Sequence, residues 1–206
     1  MMLKVDGITQ LKQLQQLDGL NINYAGLHFH EGSIHYAGHK IKRKDLVSSD
    51  FDIKKVGVFV DASYEFIIDI VEQYGLDLVQ LHGNETPELC EQLMDEVEVI
   101  KSFHVSADQT GTLDEMLSDY DEVCDYYLFD SAEDEGDGHF NWDVLTKSKI
   151  EKPFFISGGI DFNDAVTLNN FKHPDFIGAD INTCFETEPG VKDLVKVLQF
   201  KKALKK

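Results

Sequence analysis

Eight short strand-like runs, spaced along 206 residues, constrain the fold of this chain more than any other feature. They are Leu3–Val5, Tyr24–His30, Val56–Val60, Leu76–Leu81, Val97–Phe103, Tyr126–Phe129, Phe154–Ile156 and Phe176–Ala179. Several are unbroken apolar runs, the pattern of parallel strands covered on both faces. Helical patterns lie between them. Ile8–Gln16 carries apolar residues at helical spacing, and Tyr64–Tyr74 sets Phe66, Ile67, Ile70 and Val71 on one face. Pro87–Glu96 follows Thr86, which suits an N-cap with proline at the first helical position. Asp161–Leu168 and Pro189–Leu204 complete the series. Eight strands alternating with helices predict a closed (β/α)8 TIM barrel, a parallel eight-stranded sheet in one domain over residues 1–206; an open doubly wound sheet is the competing arrangement.

Charge narrows the partners. With 38 acidic against 19 basic residues the net charge is −19, which argues against nucleic acid and anionic membrane surfaces. No apolar stretch approaches the roughly 20 residues of a membrane span. The opening Met1–Asp6 has neither a basic nor an apolar leader region, so a cytoplasmic protein is expected. The same charge repels an anionic ligand at long range, so a phosphorylated one needs local donors such as N–H groups at a helix start. Cys90, Cys124 and Cys184 form no CxxC pair and read as buried free thiols. His28 and His30 alternate on one strand without a clear third ligand, and no metal is expected there.

In a barrel, the C-terminal strand ends line the active site. Here they carry Asp6-Gly7; His28 and His30 with Ser33 and His35 beyond; Gln80-Leu81-His82-Gly83; Asp130-Ser131; Ser157-Gly158-Gly159; and Asp180-Ile181-Asn182-Thr183. Asp6 and Asp130, on well separated strands, suit one acid and one base. Gly158-Gly159, with Asn182-Thr183 in the next loop, suits a phosphate site after strands seven and eight. Each has a plainer reading: an aspartate as helix N-cap, Gly-Gly as a tight turn, His35 as an exposed loop histidine, His82 as a hydrogen-bonded member of a barrel layer.

Several segments resemble the phosphoribosylanthranilate isomerases of tryptophan biosynthesis. Lys4-Val5-Asp6-Gly7-Ile8-Thr9 is similar to their K-[IV]-C-G-[IL]-T opening, and Val56–Val60 to their third strand. Val79–Glu85 resembles V-Q-L-H-G-[DN]-E, the most specific of these motifs. Phe129–Ser131 with Gly136, Gly138, Phe140 and Trp142 resembles L-D-S…G-G-T-G…F-D-W; Ile156–Ile160 resembles L-[AS]-G-G-[IL]; and Asp180–Asp193 resembles D-V-S-S-G-V-E…P-G-x-K-D. The matches run collinearly over nearly the whole chain. The resemblance implies an Amadori rearrangement of N-(5-phosphoribosyl)anthranilate by general acid and base, with no metal or organic cofactor because the imine is the electron sink. It also implies a small phosphorylated sugar amine as the only partner of a monomer or homodimer.

The departures fall on site positions. Asp6 stands where the family carries its basic cysteine, and His35 where it carries the arginine for the anthranilate carboxylate. Glu135–Gly138 replaces G-G-T-G, and Asn182-Thr183-Cys184 replaces S-S-G. The expected roles are therefore Asp6 as base, its basicity raised by burial, and Asp130 as acid, kept protonated by Asp134, Glu135 and Asp137 if these lie close. His35, His82 and Asp180 are expected to bind substrate, and Gly158, Gly159, Asn182 and Thr183 its phosphate. Two other readings stay open. The related histidine-pathway isomerase uses aspartates at these strand ends, though on a twofold-repeated barrel not visible here. The other is a non-catalytic barrel that retains ligand binding.

Overall fold

In the computed structural model, described for residues 1–106, 113–132 and 140–205, the eight runs close on themselves. The strands are β1 (Met2–Val5), β2 (Tyr24–His28), β3 (Lys54–Phe59), β4 (Leu78–Leu81), β5 (Glu98–Val105), β6 (Tyr126–Ser131), β7 (Phe154–Ile156) and β8 (Phe176–Ile181). Each pairs in parallel with the next, and β8 returns to β1 through Met2↔Gly178 and Val5↔Ile181. That last pairing rules out the open sheet. Around them lie α1 (Leu11–Gly19), α2 (Arg43–Val47), α3 (Tyr64–Tyr74), α4 (Pro87–Met94), α5 (Leu113–Ser118), α6 (Asp143–Lys147), α7 (Ala165–Asn170) and α8 (Leu194–Ala203). Among the described residues no helix is long and apolar enough to cross a membrane.

The period-two alternation of the strands separates two cores. Val5, Ala25, Leu27, Phe59, Val79, Leu81, Val99 and Phe129 belong to the large cluster that the helices cover. Tyr24, Val56, Leu78, Ile100, Leu128 and Phe155 form a separate cluster, the apolar plug of the barrel interior. Two residues further along those strands the same face turns polar, with Gln80, Ser102, Asp130 and Ser157. The plug thus becomes the floor of a site.

Several boundaries differ from the sequence-based expectation. Residues 8–10 precede α1: Ile8 donates to the Gly26 carbonyl, and the Thr9 hydroxyl donates to Gly190 O at 2.7 Å. β2 ends at His28 rather than His30. β4 begins at Leu78 rather than Leu76, because Gly75 closes α3 in a left-handed C-cap (φ 58°) and the chain needs residues to turn. The helix expected over Pro189–Leu204 starts only at Leu194, where Asp193 caps it by accepting from Val195 N and Lys196 N. Ahead of it stands a two-stranded ribbon, β9 (Glu186–Glu188) and β10 (Val191–Lys192). Three helices, α2, α5 and α6, were not anticipated; at five or six residues they are too short to show a helical period. Thr86 does cap α4, accepting from Leu89 N with Pro87 in the first turn.

One buried ion pair shapes the loop after β4. Lys101 on β5 donates to Glu85 Oε2 at 3.0 Å and to the Gly83 carbonyl at 2.8 Å, while Glu85 Oε1 accepts from Asp61 N and Gly83 N. Both side chains are almost fully buried. Glu85→Ala strands a buried cation and two backbone donors, so we expect a loss of about 3–5 kcal/mol. For a chain of this size that lowers the thermal midpoint by roughly 6–20 °C, measurable by calorimetry.

Candidate active site

The strand ends of β1, β2, β4, β6, β7 and β8 converge on one cavity of about 190 Å³. Its lining includes Asp6, His28, His82, Asp130, Gly158, Gly159, Asp180, Asn182 and Thr183. The structure thus brings together every site residue expected from sequence except His35.

Asp6 is the most constrained group. Its carboxylate lies over Gly26, where a Cβ would fall 1.5 Å from Oδ1. Oδ1 faces the Lys4 ammonium at 3.2 Å, and Oδ2 meets His28 Nε2 at 3.0 Å. Burial raises the Asp6 pKa, but Lys4 and His28 outweigh it and hold the carboxyl well below its ordinary 3.8. The expectation that burial would raise its basicity is therefore corrected. Asp6 is a firmly ionised but weak base.

Lys4, fully buried, also donates to Asp180 Oδ2 at 2.9 Å. One ammonium cannot neutralise two carboxylates. Asp6 has His28 as a second partner, so the extra proton falls on Asp180, whose pKa burial drives upward despite Lys4. Among the described residues Asp180 Oδ1 has no hydrogen-bond partner, and Asp180 lines the cavity. It is left for a ligand.

Asp130 carries the opposite displacement to Asp6. Burial pushes its carboxyl above 3.8, against the opposing influence of His104 and of the Ser131 N–H, which donates to Oδ1 at 2.8 Å. Here burial supplies the shift that sequence assigned to Asp134, Glu135 and Asp137; those three, like the Glu135–Gly138 loop, lie outside the described residues. Gly158 (φ 86°) packs against this group, since a Cβ there would sit 2.9 Å from Asp130 Oδ1 and 2.7 Å from Ser131 N. Only glycine tolerates both that backbone conformation and that approach. His82 Nε2 stands 3.9 Å from Asp130 Oδ2, and burial lowers its pKa, favouring neutral imidazole.

Gly158-Gly159 and Asn182-Thr183 continue the cavity lining beside Asp130. Thr183–Phe185 opens as a turn of 3-10 helix, whose first N–H groups have no partner inside the turn. Lys192 is buried behind them, donating to Asn182 Oδ1 at 2.6 Å and pairing with Glu186 at 2.5 Å. His35 is not the exposed loop histidine of the plainer reading. It is buried, and its Nε2 faces Glu186 at 3.0 Å, leaving Nδ1 as the ring's other polar atom.

A cavity at the C-terminal mouth of a barrel, with carboxyls displaced in opposite directions and a glycine-rich wall, fits sugar-phosphate isomerisation. Comparison with known proteins decides the family. The family model for N-(5'-phosphoribosyl)anthranilate (PRA) isomerase matches residues 3–203. The chain belongs to that family. The N-(5'-phosphoribosyl)anthranilate isomerase of Parabacteroides distasonis is 37% identical over 206 residues, covering 97% of this chain and 91% of that protein. That of Phocaeicola vulgatus is 34% identical over 209 residues, covering 100% and 98%. The phosphoribosyl anthranilate isomerase structure from Thermotoga maritima superposes with a TM-score of 0.84 at 26% identity, covering 98% of this chain and 97% of that one. A solved isomerase in complex with reduced 1-(o-carboxyphenylamino)-1-deoxyribulose 5-phosphate gives 0.83 at 27%, with the same coverage.

Four residues of this family member escaped the sequence reading as site groups: Lys4, His28 as the Asp6 partner, Glu186 and Lys192. Lys4 was recoverable, because it lies two residues before Asp6 and so shares its inward face. Glu186 and Lys192 fall within the Asp180–Asp193 motif, but the ribbon that turns them toward the site was not read from it. Cys184 also differs from expectation: Cys90 and Cys124 are buried, but Cys184 is half-buried and lines the cavity. Burial pushes the Cys90 and Cys124 thiols up to about 11 and about 12. We therefore expect iodoacetamide to label Cys184 alone in the native protein, and a bound product analogue to slow it, as peptide mapping would show.

Proposed function

We propose that this chain converts N-(5-phosphoribosyl)anthranilate into 1-(2-carboxyphenylamino)-1-deoxyribulose 5-phosphate, with Asp130 as general acid and Asp6 as general base. The observation that carries this reading is the opposite displacement of two carboxyls at one cavity. Asp130 gives its proton to the furanose ring oxygen, and the ring opens to a Schiff base. Asp6 takes the proton from the adjacent carbon, producing an enolamine that tautomerises to the ketone. The cationic imine withdraws the electron pair released at that carbon, which compensates for the weak basicity of Asp6. His28, bonded to Asp6 Oδ2, keeps the carboxylate oriented.

The phosphate is assigned to Gly158, Gly159, Asn182 and Thr183, on backbone donors rather than on the repulsive acidic surface. His82 and Asp180 Oδ1 are assigned to the ribose hydroxyls. His35 is assigned to the anthranilate carboxylate through Nδ1. Because Glu186 fixes Nε2 as a protonated nitrogen, Nδ1 can donate only in the imidazolium form, so His35 holds that carboxylate less firmly than an arginine would. The protein is assigned to the cytoplasm, as monomer or homodimer; the Thermotoga maritima enzyme is described as dimeric.

Complementation of a strain lacking the tryptophan-pathway isomerase, together with turnover by purified protein, tests this reading. Growth without tryptophan and conversion of the substrate are expected. Rescue of a histidine auxotroph alone, or ligand binding without turnover, would replace it with one of the two competing readings.

A further inference from the structure

Three consecutive strands deliver His82, His104 and Asp130 to one point of the rim. Asp130 on β6 is the direct register partner of His104 on β5, and His82 follows the end of β4. The imidazole rings of His82 and His104 meet edge to face at 4.9 Å. One ligand atom from each of the three residues lies within 4.8 Å of the others. We propose that these side chains form a site for a single borderline divalent transition ion, of the zinc class, and that its occupation masks Asp130.

The donor set selects the ion. Two imidazole nitrogens and one carboxylate oxygen suit Zn²⁺ or Co²⁺, whereas Mg²⁺ and Ca²⁺ require oxygen-rich shells. Around a tetrahedral ion, ligand atoms stand roughly 3.3 Å apart, given bonds of about 2.0–2.2 Å. His82 Nε2 and Asp130 Oδ2 are already at 3.9 Å. The exposed His104 has the freedom to close the remaining gap.

Both imidazoles have the outer contacts that a metal ligand needs. His104 Nε2 meets the His82 carbonyl at 3.2 Å, which protonates Nε2 and leaves Nδ1 as a lone-pair nitrogen. His82 Nδ1 meets the Gln80 amide at 3.2 Å, and Gln80 Oε1 is a buried oxygen with no hydrogen-bond partner among the described residues. Turning that amide over lets Oε1 accept from His82 Nδ1–H and from the Ser102 hydroxyl, now 3.1 Å from Nε2. His82 Nε2 is then a lone pair aimed toward Asp130. Open positions on the ion would hold water or a substrate oxygen. No covalent step is involved; the effect is reversible inhibition, and it rests on the reading of Asp130 as acid.

Calorimetric titration of the full chain with ZnCl₂ in a non-chelating buffer, with CaCl₂ in parallel, tests the site. One equivalent of Zn²⁺ is expected to bind while Ca²⁺ does not, and His104→Ala is expected to weaken Zn²⁺ binding by about 100-fold or more. His104→Ala should retain metal-free turnover, because His104 contacts no reacting atom and its loss removes only an influence that opposes the protonated form of Asp130. Zn²⁺ should inhibit the native chain, EDTA should restore it, and His104→Ala should resist. Absence of Zn²⁺ binding, or binding that His104→Ala does not alter, would overturn the site. A His104-dependent site that leaves turnover intact at saturation would keep the metal site but overturn the masking, and with it the acid role of Asp130.

Discussion

Asp130→Asn is expected to lower kcat by about 10²–10⁴-fold while leaving the fold and KM nearly unchanged. The amide is close to isosteric, and its oxygen still accepts from Ser131 N, the bond that orients the native side chain. No buried ion pair is lost, since the nearest cationic candidate, His82, is 3.9 Å away and kept neutral by burial. What disappears is a proton. Burial penalises the charged form of Asp130 and so favours the protonated acid, whereas an amide cannot supply a proton to the ring oxygen. Steady-state kinetics beside a melting curve would check this; a loss below tenfold with an unchanged midpoint would remove Asp130 from the acid role.

Asp6→Asn is expected to cost a similar factor in kcat, but also to destabilise the protein. Both Asp6 oxygens are engaged, Oδ1 by Lys4 and Oδ2 by His28. Removing the charge leaves Lys4 with Asp180 alone. Asp180 then loses the reason to hold its extra proton and becomes the sole counter-ion. That rearrangement should keep the stability loss below the roughly 3–5 kcal/mol of an uncompensated buried pair. Asp6→Cys, which restores the residue of the family pattern, should turn over faster than Asp6→Asn because a thiolate can accept the proton. Undiminished turnover in Asp6→Asn would end the base assignment.

The contrast between these two variants shows what the sequence could and could not reveal. The barrel was legible because β1 to β8 write the same apolar signal eight times. The strand-end residues followed from it, since a (β/α)8 fold places those positions at one mouth. Asp6, Asp130, Asp180 and His82 were found in this way, as was the glycine wall. The direction of the Asp6 shift was not legible. Burial alone raises a carboxyl, and only the side-chain positions of Lys4 and His28 show that they outweigh it. The plainer reading of His35 as an exposed loop histidine failed for a related reason: its Nε2 meets Glu186, 151 residues away, on a ribbon whose second strand falls in the stretch the sequence read as helix. Short elements such as α2, α5 and α6 hold less than two turns, so their apolar residues cannot display a period.

The pH dependence of kcat/KM tests the two-carboxyl account most directly. The acid must be protonated, so activity should fall as pH rises through the Asp130 value, which lies above 3.8. The base must be ionised, so activity should fall on the acid side only as pH drops through the Asp6 value, well below 3.8. In Asp130→Asn the alkaline fall should vanish from the residual activity. An acid-side fall near the ordinary imidazole value of about 6.5 would contradict the account, because a histidine rather than Asp6 would then be taking the proton.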